Sequence, residues 1–186
     1  MHSGKGRDAL PDISSIIEFS ERLRSGVSQQ EARRFLNRES KGNKGLPVMP
    51  DYTIVEHRPS SRVFKISSVQ LYLDERQQRG RSVEGYELWE LLASLPVLNA
   101  SDLEYLLSAT SDIPENWKVS PTGRGLRTIT FWGTIYKSKR DHALYVRALY
   151  WGLDTNGRTW VWNSSFVSLG ALWDENEPAA IYDFPF

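Results

Sequence analysis

The feature that most constrains the fold of this chain is a set of aromatic, β-prone segments after Leu126. They read RTITFWGTIY, ALYVRALYW and RTWVWN, with turn-forming residues between them. In FWGTIY, apolar or aromatic side chains alternate onto both faces of a strand, so at least one face must pack on something other than water. The pattern therefore predicts an antiparallel meander over 126–163 that other parts of the chain must cover.

Two details of the meander follow from its residues. The Asn156-Gly157 pair adopts positive φ at little cost, which predicts a tight turn there. Trp132 and Trp151 belong to segments that need cover on both faces, so we expect both side chains to be mostly buried.

Composition restricts the class of protein. Of the 186 residues, 40% are hydrophobic and 25% are charged, which is typical of a chain that folds around one core or two small ones. The absence of cysteine excludes disulfides, thiolate catalysis and zinc–thiolate sites, and it suits a reducing compartment. No apolar run is long enough for a secretory signal or a membrane span, so we expect a cytoplasmic protein without membrane contact.

Helical patterns precede the β region. Apolar residues at helical spacing, capping residues, and glycines or prolines at the boundaries divide the first 110 residues into elements. These are a helix pair at 12–36, a loop at 39–51, a hairpin of 52–56 with 62–66, a third helix from Ser67 or Ser68 to Gly80, and two acidic amphipathic helices between 82 and 109.

The predicted fold class is α+β: a helical N-terminal part with a small β-hairpin, then an antiparallel three- or four-stranded meander. We divide the chain into four parts. They are a mobile tail at 1–11, a module of helix pair, hairpin and helix at 12–80, the acidic helices at 81–110, and an aromatic-rich antiparallel β module at 126–186.

Charge is unevenly distributed although the net charge is zero. Between positions 22 and 65, ten lysines and arginines face four acidic residues, whereas between 81 and 118 two face seven. A basic front could bind a polyanion, pack against the acidic middle, or only solvate helix surfaces.

Enzyme and metal signatures are absent from the sequence. The histidines at positions 2, 57 and 142 have no ligand at metal-binding spacing, and no phosphate-binding, nucleophile-elbow or zinc-protease motif occurs. Glu84, Glu87 and Glu90 recur at helical spacing, which is more typical of a solvated face than of an acid–base pair. We therefore expect no catalytic residues, no metal and no cofactor.

The segment 27–76 resembles the excisionase-like winged helix-turn-helix family. The resemblance lies in a capped helix, VSQQEARRFL, followed by a basic loop, a β-prone hairpin and SSVQLYLDER. The positions that match the family pattern are Glu31, Ala32, Leu36, Arg62, Phe64, Ile66, Val69, Tyr72 and Leu73.

This resemblance implies a nucleic-acid interface. Helix and loop residues would contact phosphates, and wing residues would approach the minor groove. A loop rich in glycine and proline, ESKGNKGLPVMPD, replaces the recognition helix, so little discrimination between sequences is implied. The alternative is a helix pair whose arginines are merely solvated. The implied contacts are Arg33, Arg34, Arg38, Lys41 and Lys44, with Arg58 and Arg62 on the wing.

The C-terminal half resembles functionally uncharacterised bacterial proteins. The likeness rests on IPENWK, FWGTIY and VRALYW, and it implies a β module without implying an activity. Within this half, Trp132, Tyr136, Trp160 and Trp162 could form an aromatic platform for a sugar, a peptide or an unstacked base. The more ordinary interpretation is that aromatic stripes are core.

Two functions remain open at this level. The first is a non-enzymatic protein–protein interaction or structural accessory module, whose partner is another protein or a second copy. The alternative is a nucleic-acid-binding accessory protein with weak sequence specificity, whose partner is DNA. The missing enzyme motifs and abundant core-type aromatics favour the first, and the basic front favours the second.

The DNA alternative makes a quantitative prediction. Phosphate binding releases counterions, so the logarithm of the affinity should fall with the logarithm of salt concentration by about 0.9 per phosphate neutralised. Neutralising Arg34 and Arg62 should weaken binding to every duplex and flatten this slope by about one unit for each arginine that binds a phosphate. The measurement is a titration with duplex DNA at two salt concentrations. Absence of binding at low salt would exclude the interface.

Overall fold

The computed structural model describes residues 46, 49–60, 64–120, 123 and 125–183, all within one unit of the chain, Asn43–Phe186. Among them, 39% are in strands and 25% are helical. The predicted tail at 1–11 and the predicted helix pair at 12–36 lie outside the described residues.

Three long strands follow one another in antiparallel order after residue 127. They are β4 (Thr128–Ser138), β5 (Leu144–Leu153) and β6 (Trp160–Ser168), with β5 between the other two. The meander is therefore present, and the loop 154–159 closes its second hairpin. In that loop Gly157 takes the positive φ, 67°, and the Asp154 carboxylate accepts the backbone N–H groups of Asn156 and Arg158.

The predicted fold class was wrong, because segments from before and after the meander complete a single mixed sheet. β1 (Tyr52–His57) pairs antiparallel with β4, and the described end of its predicted hairpin partner, 64–66, is not in a strand. β2 (Val69–Tyr72), predicted as helix, pairs with β8 (Ala179–Tyr182). One parallel bridge joins β8 to β4. The six strands are ordered β2-β8-β4-β5-β6, with β1 also on β4.

The physical reason for the β2 error is that Val69, Tyr72 and Leu73 fit helical spacing while VQLY also fits a strand. Such short apolar runs take the structure that their tertiary partner offers. Here the partner is β8, which is too far along the chain for a local sequence pattern to identify. Only Glu75–Gln78, near the end of the predicted third helix, is α-helical.

Short helices and a second small sheet connect the strands. Asp74 and Asn99 each form a capping box, which accounts for two of the helix starts. The helices are α1 (Glu75–Gln78), α2 (Gly85–Leu91) and α3 (Ala100–Ser108), with 3-10 turns at Ile66–Ser68, Leu92–Ser94, Thr110–Asp112 and Glu115–Trp117. The small sheet pairs β3 (Val83–Glu84) with β7 (Leu172–Trp173).

Both faces of the large sheet are covered by core. Ala179 and Ile181 of β8 belong to one hydrophobic cluster, whereas Ala180 and Tyr182 belong to the other. The first cluster includes α2 residues and the second includes α3 residues. Trp132 is 1% exposed, so its predicted burial is confirmed, but Trp151 is only half-buried.

Gly133 lies where the edge of β4 changes partner. β8 pairs with β4 before this residue and β1 pairs with it afterwards. Between them, the Gly133 N–H donates to the Leu98 carbonyl oxygen at 2.8 Å, and its own carbonyl accepts the Arg58 N–H at 2.7 Å. A Cβ on Gly133 would lie 2.8 Å from the Asn99 Cβ and 2.9 Å from the Leu98 oxygen. Only glycine permits this approach of backbone to backbone.

We therefore expect Gly133→Ala to lower the free energy of unfolding by about 1–3 kcal/mol, the usual cost of overpacking a rigid site. Gly170→Ala is the matched control, because its Cβ would meet only the Ser168 hydroxyl, at 3.5 Å. Urea unfolding of both variants measures the difference. Equal stability of the two would show that the Leu98–Asn99 segment moves aside.

Candidate functional site

Two groups of side chains in the described structure could carry function. The first, which we call the polar junction, consists of His57, Asn99, Asp102, Thr134 and Tyr182. The second, which we call the tryptophan patch, is formed by Trp151, Leu153, Trp160 and Trp162.

The polar junction contains a histidine and a hydroxyl in contact. His57 Nδ1 lies 2.9 Å from Thr134 Oγ1, which also accepts the Ala100 N–H at 3.1 Å. Burial lowers the pKa of His57, so the imidazole is neutral at pH 7. Thr134 is fully buried, however, and no substrate could reach its hydroxyl. This pair joins β1 to β4 and to the start of α3.

Asp102 supplies the other half of the junction. Its Oδ2 accepts the Asn99 N–H at 2.9 Å, and its Oδ1 accepts the Tyr182 hydroxyl at 2.9 Å. Burial raises the pKa of this carboxyl above its ordinary value, although both hydrogen bonds oppose the shift. The carboxylate therefore ties α3 to β8, and the junction as a whole is structural.

The tryptophan patch lies at the loop end of the β5–β6 hairpin. Trp151 pairs directly with Trp162 and Leu153 pairs with Trp160, which places all four side chains on one face. The rings of Trp151 and Trp162 meet edge to face at 5.4 Å. Leu153 and Trp160 are 46% and 49% exposed. The patch is thus anchored on its inner side and open on its outer side.

The face that carries the patch is covered in part. On this side of the sheet, Leu149 packs in the cluster that holds Leu103 and Leu106 of α3. Trp162 packs against the same cluster, whereas Leu153 and Trp160 are 46% and 49% exposed. The exposed part of the patch is therefore its loop end.

Two cations lie beside the patch. Lys118 Nζ lies 3.8 Å from the centroid of the Trp151 ring and pairs with Glu115 at 2.7 Å. Arg127 precedes the first residue of β4, and its N–H donates to the Lys118 carbonyl oxygen at 3.1 Å. The inner border of the patch is therefore basic.

Strand β6 has a described neighbour on one side only. Its nine residues, WVWNSSFVS, include no charged residue and no proline. Natural edge strands usually carry such residues, because unpaired backbone groups attract other strands. Within the described structure, β6 is an edge that lacks this protection.

Half of the predicted aromatic platform is buried and must be corrected. Trp132 packs against Trp173 with ring centroids 5.0 Å apart, and Tyr136 meets the ring of Phe166 at 5.2 Å. Each is 1% exposed, so neither reaches a surface. The bulge at Gly133 and the cover from other elements bury these two side chains, and neither feature can be recognised from the local sequence.

Trp160 and Trp162 do lie together, in the tryptophan patch. Sequence reasoning missed Trp151 and Leu153 as their partners. The sequence contained the information needed to find these partners, because a hairpin turn at 154–157 pairs the residues that lie on either side of it.

The basic residues predicted to contact nucleic acid lie mostly outside the described residues. Among the seven, only Arg58 is described. Its Nε donates to Glu56 at 2.6 Å, and its Nη1 donates to the carbonyl oxygens of Leu92 and Ala93. Arg58 thus closes the end of a helical turn. The others, Arg33, Arg34, Arg38, Lys41, Lys44 and Arg62, stay predictions.

Neither a metal site nor a membrane span is found in the described ranges. They contain no group of three His, Asp or Glu side chains that could hold a metal ion. Every helix in the same ranges is too short or too polar to cross a bilayer. The chain matches no family model, no curated protein and no solved structure.

The buried carboxyl of Asp102 predicts a pH dependence. Because its folded pKa is raised, the folded protein binds a proton at higher pH than the unfolded chain does. The free energy of unfolding therefore gains a contribution as pH falls through the folded pKa, complete below the unfolded pKa of about 3.9. Each pH unit between the two pKa values corresponds to about 1.4 kcal/mol.

Asp102→Asn removes this titration, so the stability of the wild type relative to the variant should increase as pH falls from 7 towards 4. Chemical unfolding across that range measures it. Asp112→Asn, which removes an exposed carboxylate, controls for the change of net charge. A wild type that loses stability relative to Asp102→Asn on acidification would contradict the raised pKa.

Proposed function

We propose that this protein is a non-enzymatic interaction module that binds an extended segment of another protein along β6. The observation that carries the proposal is an uncharged, proline-free strand at the edge of the described sheet, with Trp160 and the neighbouring Leu153 half-exposed. Backbone groups of such an edge pair with an added strand, and side-chain surfaces beside it select the sequence. The absence of cysteine from the chain favours action in the cytoplasm.

The tryptophan patch suits this role energetically. Tryptophan supplies a large apolar surface with few rotatable bonds, and it dominates many binding interfaces. Trp151 and Trp162 hold each other edge to face, so the patch loses little conformational freedom on binding. Leu153 and Trp160 would lose most of their solvent contact to a bound segment.

The test begins with peptides selected on the full chain from a random library, each long enough to pair with all nine residues of β6. We expect Trp160→Ala to weaken their binding about tenfold or more, as loss of a tryptophan hot spot does. Amide hydrogen exchange should show new protection along β6 when peptide is bound.

Leu172→Ala is the matched control, because Leu172 is 66% exposed but belongs to the two-stranded sheet. It should leave the affinity unchanged. Peptides that bind Trp160→Ala as tightly as wild type would refute the patch as the binding surface. Concentration-dependent dimerisation lost in Trp160→Ala would instead identify a second copy as the partner.

A further inference from the structure

Two buried arginines lie on the same face of the sheet, but only one has an acidic partner. Arg147 is 4% exposed, forms an ion pair with Glu104 and donates to Ser164 Oγ at 2.9 Å. Arg127 is 9% exposed, and its Nη1 donates to the Asn116 carbonyl oxygen at 3.1 Å. No carboxylate in the described structure compensates its charge.

The guanidinium of Arg127 is only partly satisfied. Its Nε is buried without a hydrogen-bond acceptor, and among the described residues Nη1 makes the side chain's hydrogen bond. Burial also lowers the pKa of this arginine. Unpaired buried charge destabilises a fold, so such a group requires an explanation beyond packing. The Nε and Nη2 atoms form the fork that binds a carboxylate through two parallel hydrogen bonds.

Arg127 stands next to the tryptophan patch. Thr128 pairs with Tyr150 in antiparallel register, so Arg127, the residue before β4, lies level with Trp151. Successive side chains alternate between the two faces of a sheet, so Arg127 and Trp151 lie on the face opposite Thr128 and Tyr150. Phe131 and Arg147, which also pair, lie on this same face as Arg127 and Trp151. The Arg127 side chain thus lies on the face of the tryptophan patch, at its inner border.

We propose that Arg127 binds a carboxylate of the partner segment, so that the module selects acidic peptides with apolar residues beside the acid. This rests on the function proposed above. A nucleic-acid strand fits less well, because its backbone needs several cations in a row. Among the described residues at the border, Lys118 already pairs with Glu115, which leaves Arg127 as the cation for one carboxylate.

The test uses two small probes, N-acetyl-leucine and N-acetyl-leucinamide, which differ in having a carboxylate or a neutral amide. Each is titrated onto the full chain, and the NMR signals of the indole and arginine N–H groups report binding. The acid should bind about tenfold more tightly than the amide, as one charge-assisted pair allows. Arg127→Met should bring the two affinities together by weakening only the acid. Arg158 is an exposed arginine in the loop of the β5–β6 hairpin, and Arg158→Gln should preserve the preference for the acid.

The outcomes separate this inference from the function on which it rests. Equal affinities of acid and amide for the wild type would overturn the carboxylate site, while Trp160→Ala would still test the patch. Tighter binding of an oligothymidylate that depends on Arg127 would also overturn it, in favour of nucleic acid.

Stability provides a second measurement. Because Arg127 has no acidic partner, Arg127→Met should leave the melting temperature unchanged or raise it, whereas Arg147→Met should lower it by stranding Glu104. Unfolding of Arg127→Met would overturn the proposal by showing a structural role. Arg127→Lys keeps the charge without the fork, and a full acid preference in that variant would exclude two-point recognition.

Discussion

The backbone of β4 at Gly133 is the contact on which the rest of the fold depends. Here one strand passes from pairing with β8 to pairing with β1, and the Leu98 carbonyl occupies the position between them. The absence of a side chain lets the segment before α3 touch the strand, and α3 then begins directly at the sheet. The polar junction surrounds this contact and fixes α3, β1 and β8 to the same point.

Fixing α3 at that point also places its apolar residues on one face of the sheet. Leu103 and Leu106 pack there with Phe131 of β4 and Leu149 of β5. Trp151 retains support from Trp162 and Lys118, while Leu153 and Trp160 face water. The same sheet therefore provides a core and, at the loop end of two of its long strands, an apolar surface that is half-exposed.

The two buried arginines on this face of the sheet differ in whether they have an acidic partner. In the middle of this face, Arg147 is neutralised by Glu104 from α3, so the helix supplies the acid that a buried arginine requires. Near the patch, Arg127 donates to the Asn116 carbonyl in the 3-10 turn at Glu115–Trp117 and has no acidic partner among the described residues. The arginine without an acid and the half-exposed Trp160 thus lie on one face of the sheet.

The sequence by itself determined the local elements: the three-strand meander, the two acidic helices α2 and α3, and the burial of Trp132 in a strand that is apolar on both faces. It could not assign VQLY to a strand, because its partner β8 lies more than a hundred positions away. It did not show that Trp160 is exposed. Both tryptophans have the same intrinsic preference for burial, but the tertiary structure covers Trp132 with α2 residues and Trp173, whereas Trp160 lies half-exposed at the loop end of the opposite face.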